Sequence, residues 1–168
     1  MEQVLSFIES NHERYLSELK ELLAIPSVSS QTERKPDMRR AAEWLKNHMT
    51  AIGLQNSQIL ETEGHPVVYA DWLQAVGQPT ILIYGHYDVQ PEDPVDLWKS
   101  PPFEATERDG NLYARGTADD KGQIFGYLFI VGLDNNVIGT DLIESFVQSL
   151  NTGTTLVGTC LKHRCKWP

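Results

Sequence analysis

The sequence predicts an α/β fold, layered, with a mixed, mostly parallel sheet and flanking helices. Three observations predict it. Apolar residues recur at helical spacing through the first third of the chain. A short β-branched run at Thr80–Tyr84 is framed by Gly77 and Pro79 before it and Gly85 after it. Strand-like and helix-like patterns then follow one another, as in layered domains. A chain of 168 residues is long enough for one domain with its own hydrophobic core.

The first helix is expected from the spacing of Val4, Ile8, Tyr15, Leu16, Leu19, Leu22 and Leu23, ending near Ile25 because Pro26 disfavours helical geometry in the residue before it. Residues 27–35 are polar and read as a loop. A second helix is expected from an N-cap at Asp37, with Met38, Ala41, Ala42, Leu45, Met49 and Ile52 on one face and Gly53 as its stop. Val67–Leu73 reads as a strand, and Thr80–Tyr84 as a strand buried on both faces. Phe103–Glu107 and Leu112–Ala114 are expected to pair as a hairpin across Asp109-Gly110, a favoured turn pair. A further helix is expected after Asp119-Asp120, since acidic residues suit a helix N-terminus.

The net charge of −9 argues against a nucleic-acid partner, because an acidic chain repels phosphate. Ile124–Leu133, the most apolar stretch, is too short to span a bilayer, and no membrane association is expected. The N-terminus lacks a basic region and carries Glu2 and Glu9 early, which does not read as a secretory signal. With Cys160 and Cys165 as the only cysteines, no disulfide framework is expected, and a cytoplasmic location is.

Two short motifs carry chemistry. Gly85-His86-Tyr87-Asp88-Val89-Gln90-Pro91 follows the expected buried strand, and α/β sheets place their sites where the chain leaves strand ends. In extended backbone His86 and Asp88 point the same way, which puts a carboxylate where it can orient a metal-ligating imidazole. Gly116-Thr117-Ala118-Asp119-Asp120-Lys121-Gly122 sets two carboxylates side by side. Their repulsion is relieved by a metal, another cation or a helix N-terminus. One carboxylate can also bridge two metals roughly 3.5–4 Å apart. Taken singly, His-x-Asp is a common pattern and Asp-Asp-Lys-Gly is a plausible helix cap. Their joint occurrence strengthens the metal reading.

GHYDVQP, WKSPPF and DGNLYARGTADDKG, in that order and spacing, resemble the zinc peptidase family of carnosinase, carboxypeptidase G, aminoacylase, succinyl-diaminopimelate desuccinylase and acetylornithine deacetylase. The stretch LLAIPSVS is similar to that family's N-terminal helix end, so the resemblance covers roughly residues 1–123. The YDVQP wording leans toward the dipeptidase branch. The resemblance implies His86 as ligand of one zinc, Asp119 as a carboxylate bridging two zinc ions, and Asp88 behind His86 as the catalytic-site residue that orients the imidazole or tunes the site. It also implies a cis peptide bond at Asp119-Asp120, a structural role for Asp120, and a wall shaped by Trp98, Pro102 and Phe103. The implied reaction is hydrolysis of an amide bond next to a free carboxylate in a small peptide, with manganese or cobalt as other metals the ligand types suit. Family members are often homodimers.

Residues 1–126 are therefore expected to form the N-terminal part of a zinc-peptidase catalytic domain, and 127–168 a divergent tail. The resemblance implies a Glu-Glu pair, a further acidic ligand and a distant histidine downstream, and none of these is found. Glu144 is the only glutamate after Gly122. The chain reads as a frameshifted, truncated or alternatively spliced product. Cys160, His163 and Cys165 leave a tetrahedral site incomplete and read as part of a basic tail. Three readings follow: a dipeptidase-type hydrolase present as an incomplete chain, an inactive product that binds metal weakly or associates with a full-length relative, and a binding domain in which His86 and Asp119 are structural.

Overall fold

The computed structural model describes residues 2–74, 76–77 and 80–133. The expectations for Glu144, Cys160, His163 and Cys165, and for the tail beyond Leu133, lie outside the described residues.

Helix α1 (Glu2–Leu23) ends two residues before Pro26-bound Ile25, and α2 (Lys35–Ala51) follows a short 3-10 turn at Thr32–Arg34. Pro36 sits in the first turn of α2, where its missing N–H costs nothing. Asp37 is not the N-cap. It lies within that first turn and pairs with Arg34 at 3.4 Å and Arg40 at 3.0 Å, because α2 starts earlier than its apolar stripe. The stripe itself is the expected one: Met38, Ala41, Ala42 and Leu45 are buried, and Met49 and Ile52 pack beside them. Gly53, at φ 94, closes the helix in the left-handed conformation that glycine adopts without strain.

Strand β1 (Gln55–Leu60) pairs antiparallel with β2 (Val67–Asp71), with Ile59 opposite Val68 and an irregularity between Gln55 and Gln58. The hairpin β3 (Thr106–Arg108) and β4 (Asn111–Tyr113) turns at Asp109 and Gly110, both at positive φ, as the Asp-Gly pair demands. Helix α3 (Lys121–Leu133) begins where the two aspartates end and runs through Gly122, Gly126 and Gly132. Its apolar content outweighs the helix cost of glycine, since Ile124, Phe125 and Leu128 are all buried.

The core joins Leu22 and Ile25 at the end of α1, the α2 stripe, Tyr87, and Ile124 and Leu128 of α3. Tyr15 meets Phe129 edge-on at 4.4 Å between ring centres, linking α1 to α3. The α/β character of the fold agrees with the sequence, but the described pairing is less parallel than expected. Both described sheets are antiparallel pairs, and the parallel contact is a bridge between Val28 and Val89.

Residues 80–84 depart most from expectation. Ile81, Leu82 and Ile83 are exposed, Leu82 at 66%. An apolar run reports a tendency to be buried, but only neighbouring elements can bury it, and no described element covers this one. Among the described residues no helix is long and apolar enough to cross a membrane.

His48 offers a test of the helical packing. It stacks on Trp44 at 4.8 Å and lies 5.4 Å from Phe125. Burial lowers its pKa from the ordinary 6.5, against the raising charge of Glu18, with Arg14 lowering it and Glu21 raising it. The unfolded chain therefore takes up a proton before the folded one as pH falls. Stability should decline as pH drops below about 6.5 and level off below the folded value. Urea unfolding across that range should show a slope in the wild type that His48→Gln flattens. Equal slopes in the two proteins would remove His48 as the cause.

Candidate functional site

The site is built where the segment after α1 meets the segment after residue 84. Val89 N–H donates to the Ser27 carbonyl at 2.9 Å, and Ser27 Oγ donates to the Tyr87 carbonyl at 2.6 Å. This pairing holds 86–89 extended, so side chains alternate. Tyr87 turns into the core, 5% exposed, with its hydroxyl donating to the Pro66 carbonyl. His86 and Asp88 turn to the other side together.

His86 is held from three directions. Its backbone N–H donates to Asp120 Oδ2 at 3.0 Å. Its Nδ1 lies 3.1 Å from the Asp88 carbonyl and 3.2 Å from Asp88 Oδ1. Its Nε2 lies 3.0 Å from Asp119 Oδ1. Asp88 is anchored in turn by Ser29, whose Oγ donates to Oδ2 at 2.5 Å. Asp119 belongs to the turn before α3, joined to Asp120 by a cis peptide bond, and its side chain is 76% exposed.

A neutral imidazole has one N–H and one lone pair, yet both ring nitrogens here face acceptors. With the Nδ1 proton directed at Asp88, Nε2 and Asp119 are two lone-pair donors aimed at each other. Either a second ring proton or a cation reconciles them. The balance of forces fits this. Burial pulls the His86 pKa down, but acceptance by the Asp88 carbonyl and the charges of Asp88, Asp120 and Asp119 leave it raised above 6.5. The donor types also fit a metal. Two ligands of one tetrahedral ion, each about 2 Å from it, stand roughly 3.3 Å apart, close to the His86–Asp119 separation. Among the described residues, no group of three or more His, Cys, Asp or Glu side chains is placed to hold a metal.

The structure thus brings His86, Asp88 and Asp119 together, with Asp120 bonded to the His86 backbone rather than sharing in the donor pair. Trp98 and Phe103 stand in a neighbouring loop system. Trp98 Nε1 donates to the Glu92 carbonyl at 2.9 Å, Arg115 lies over the Trp98 ring, and Arg34 pairs with Glu92 at 3.3 Å. Pro102 accepts the Arg115 N–H at 2.6 Å.

Sequence reasoning missed Ser29 and Lys121. Lys121 is fully buried, its amine donating to the carbonyls of Leu22 at 3.0 Å and Ile25 at 2.6 Å. Burial lowers its pKa to about 7, with Arg40 acting in the same direction and Asp37 and Asp88 opposing. The partners of Ser29 and Lys121 lie 59 to 99 residues away, so no local pattern marks them.

Residues 82–136 match the model of peptidase family M20/M25/M40, a span that contains both motifs. The cysteinylglycine-S-conjugate dipeptidase of Corynebacterium striatum is 36% identical over 138 residues, covering 79% of this chain and 29% of that protein. The chain belongs to the M20 peptidase family. Human carnosine dipeptidase 1 superposes with a TM-score of 0.69 at 28% identity, over 79% of this chain and 30% of that one. An M20 family metallo-carboxypeptidase from Sulfolobus solfataricus superposes with a TM-score of 0.65 at 40% identity, over 73% and 28%. This M20 chain therefore spans less than a third of the length of these relatives.

Within it the turn 116–122 is tightly closed. Gly122 N–H donates to the Gly116 carbonyl at 3.2 Å, and a Cβ on Gly122 would sit 2.0 Å from the Thr117 carbonyl oxygen. A Cβ on Gly126, one turn along the same helix, would meet nothing within 4 Å. Gly122→Ala should therefore cost about 1–3 kcal/mol through forced backbone displacement. Gly126→Ala should gain up to about 1 kcal/mol from helix propensity. Denaturant unfolding of the two variants measures both, and effects of the same sign would contradict the close approach at Gly122.

Proposed function

We propose that this chain supplies part of the active site of a metal-dependent peptidase, with His86 and Asp119 as metal donors and Asp88 as the residue that orients His86. The observation that carries this reading is the convergence of His86 Nε2 on Asp119 Oδ1 at 3.0 Å while Nδ1 is turned onto Asp88. Kinship with a dipeptidase and a metallo-carboxypeptidase supports it. A bound divalent metal at this position would polarise an amide carbonyl and acidify a water molecule. Zinc suits an imidazole with carboxylates, and manganese and cobalt suit them as well.

The chain's own residues act by orientation. Asp88 accepts a hydrogen bond from the Nδ1–H, which keeps the proton on Nδ1 and the Nε2 lone pair free for a metal. Ser29 keeps Asp88 from rotating away. Asp119 has a second oxygen beyond the one facing His86, which is what a carboxylate needs in order to bridge two metals. The substrate proposed is a small peptide with a free carboxylate beside the scissile amide, and the location proposed is the cytoplasm. Homodimer formation, common in the resembled family, is proposed for the whole enzyme.

A second reading is favoured by one observation. Among the described residues two donors converge here, and a catalytic zinc generally has three protein ligands and a water. On that reading the 168-residue chain binds metal weakly and turns over no substrate unless a full-length relative completes the site.

Calorimetric titration with zinc separates these outcomes when paired with a dipeptide hydrolysis assay. Weak zinc binding by the wild type is expected, lost in His86→Ala and in Asp119→Ala. In Asp88→Asn it should weaken about 10- to 100-fold through loss of the carboxylate charge beside Nδ1, while the Asp88 carbonyl contact is retained. Unchanged zinc binding in both alanine variants would overturn the assignment. Hydrolysis by the chain with added zinc, lost in Asp119→Ala, would overturn the inactive reading.

A further inference from the structure

We propose that Lys121 is a positioning residue, which sets the place of Asp119 by clamping its turn to the C-terminal end of α1. The inference rests on the reading of His86 and Asp119 as metal donors, and adds a residue to that site which touches neither.

The last carbonyls of a helix have no partner within it, and the helix end carries partial negative charge. The Lys121 amine donates to the Leu22 carbonyl in the last turn of α1 and to the Ile25 carbonyl two residues past it, at 3.0 and 2.6 Å, beside the backbone N–H of Ile25 on the first and of Ser27 on the second. The whole side chain is buried, at 0% exposure, so the clamp operates away from water. The stem is equally fixed. A Cβ on Gly116 would lie 3.2 Å from Lys121 Cδ and 3.5 Å from Cγ, so the base of the turn rests directly on the lysine stem. The Gly122 N–H closes the turn onto the Gly116 carbonyl at 3.2 Å. Asp119 stands at the exposed crest of this turn, and its side-chain oxygen reaches His86 across the gap.

The two halves of the site therefore share one reference. His86 is fixed through the pairing of residues 87–89 with residues 27–28, directly after α1. Asp119 is fixed by Lys121 to carbonyls of the same helix end. Asp120 adds a tie between the two, from its Oδ2 to the His86 N–H. Removing the amine leaves the Asp120 tie but frees the turn from α1, so Asp119 should shift relative to His86 while the rest of the core stays packed.

The test compares Lys121→Met, which keeps the apolar stem, with Leu45→Ala, a core substitution distant in sequence from both motifs, under conditions where both proteins are folded. Two readouts are taken on the 168-residue protein. One is zinc affinity. The other is the ¹⁵N chemical shift of the His86 ring nitrogens without metal, at fixed pH, which responds to the protonation and hydrogen bonding of the Nε2 that faces Asp119. Lys121→Met is expected to lose about tenfold or more in zinc affinity, the size of effect seen for residues supporting a metal ligand, and to move the Nε2 resonance. Leu45→Ala should leave both unchanged. Should Lys121→Met not fold, Lys121→Gln takes its place under the same thresholds. Zinc affinity within twofold of wild type together with an unmoved Nε2 resonance overturns the proposal. So does a loss of the same size in Leu45→Ala. If the wild type itself binds no zinc, the metal reading fails, and the Nε2 resonance alone decides the role of Lys121.

Discussion

The site depends on a pairing of two backbone segments sixty residues apart in sequence. Ser27 contributes its carbonyl and its hydroxyl, and residues 87–89 take up an extended shape against it. Everything specific about His86 and Asp88 follows from that shape. Their common direction is a consequence of alternation, and alternation holds only while the backbone stays extended. Tyr87, between them, is driven inward, and its ring helps anchor the pairing to the core formed by α1, α2 and α3. Packing and chemistry are thus alternate residues of one short segment.

Electrostatics then gives the arrangement its character. Three carboxylates surround one imidazole, and they do so at different ranges and with different freedom. Asp88 is nearly buried and tied to Ser29, whereas Asp119 is open to solvent. A carboxylate fixed on one ring nitrogen determines what the other can do, and the exposed carboxylate is the one free to take part in exchange with solution. The asymmetry lies in the supports of the two groups. Their chemistry is the same.

Much of this was legible in the residues. The apolar stripe of α2 was readable because each position repeats the same environmental demand, and Gly53 and Asp109-Gly110 were readable because their backbone conformations admit few residue types. The juxtaposition of GHYDVQP with the Asp-Asp turn was readable through resemblance. Strand β1 was not, since QNSQIL has only Ile59 and Leu60 to show for its pairing, and its stability comes from β2 and α2. The exposure of Ile81–Ile83 was illegible for the complementary reason, because a run of apolar residues states a preference without naming what satisfies it. Ser29 and Lys121 carry ordinary side chains in ordinary local contexts. Only the long-range closure of the chain gives them partners.

The glycines that frame the motifs have a consequence of another kind. A methyl group on Gly85 would meet Ile124 Cγ1 at 2.4 Å and Asp120 Oδ2 at 2.9 Å, and one on Gly116, already at φ 89, would meet Val89 Cγ1 at 2.9 Å. These positions hold no reactive atom, yet they are as intolerant of change as those that do. A saturation map of this chain would therefore score vacancy and chemistry alike. The hollow spaces beside His86 and Asp119 would stand out in it as sharply as the donors themselves.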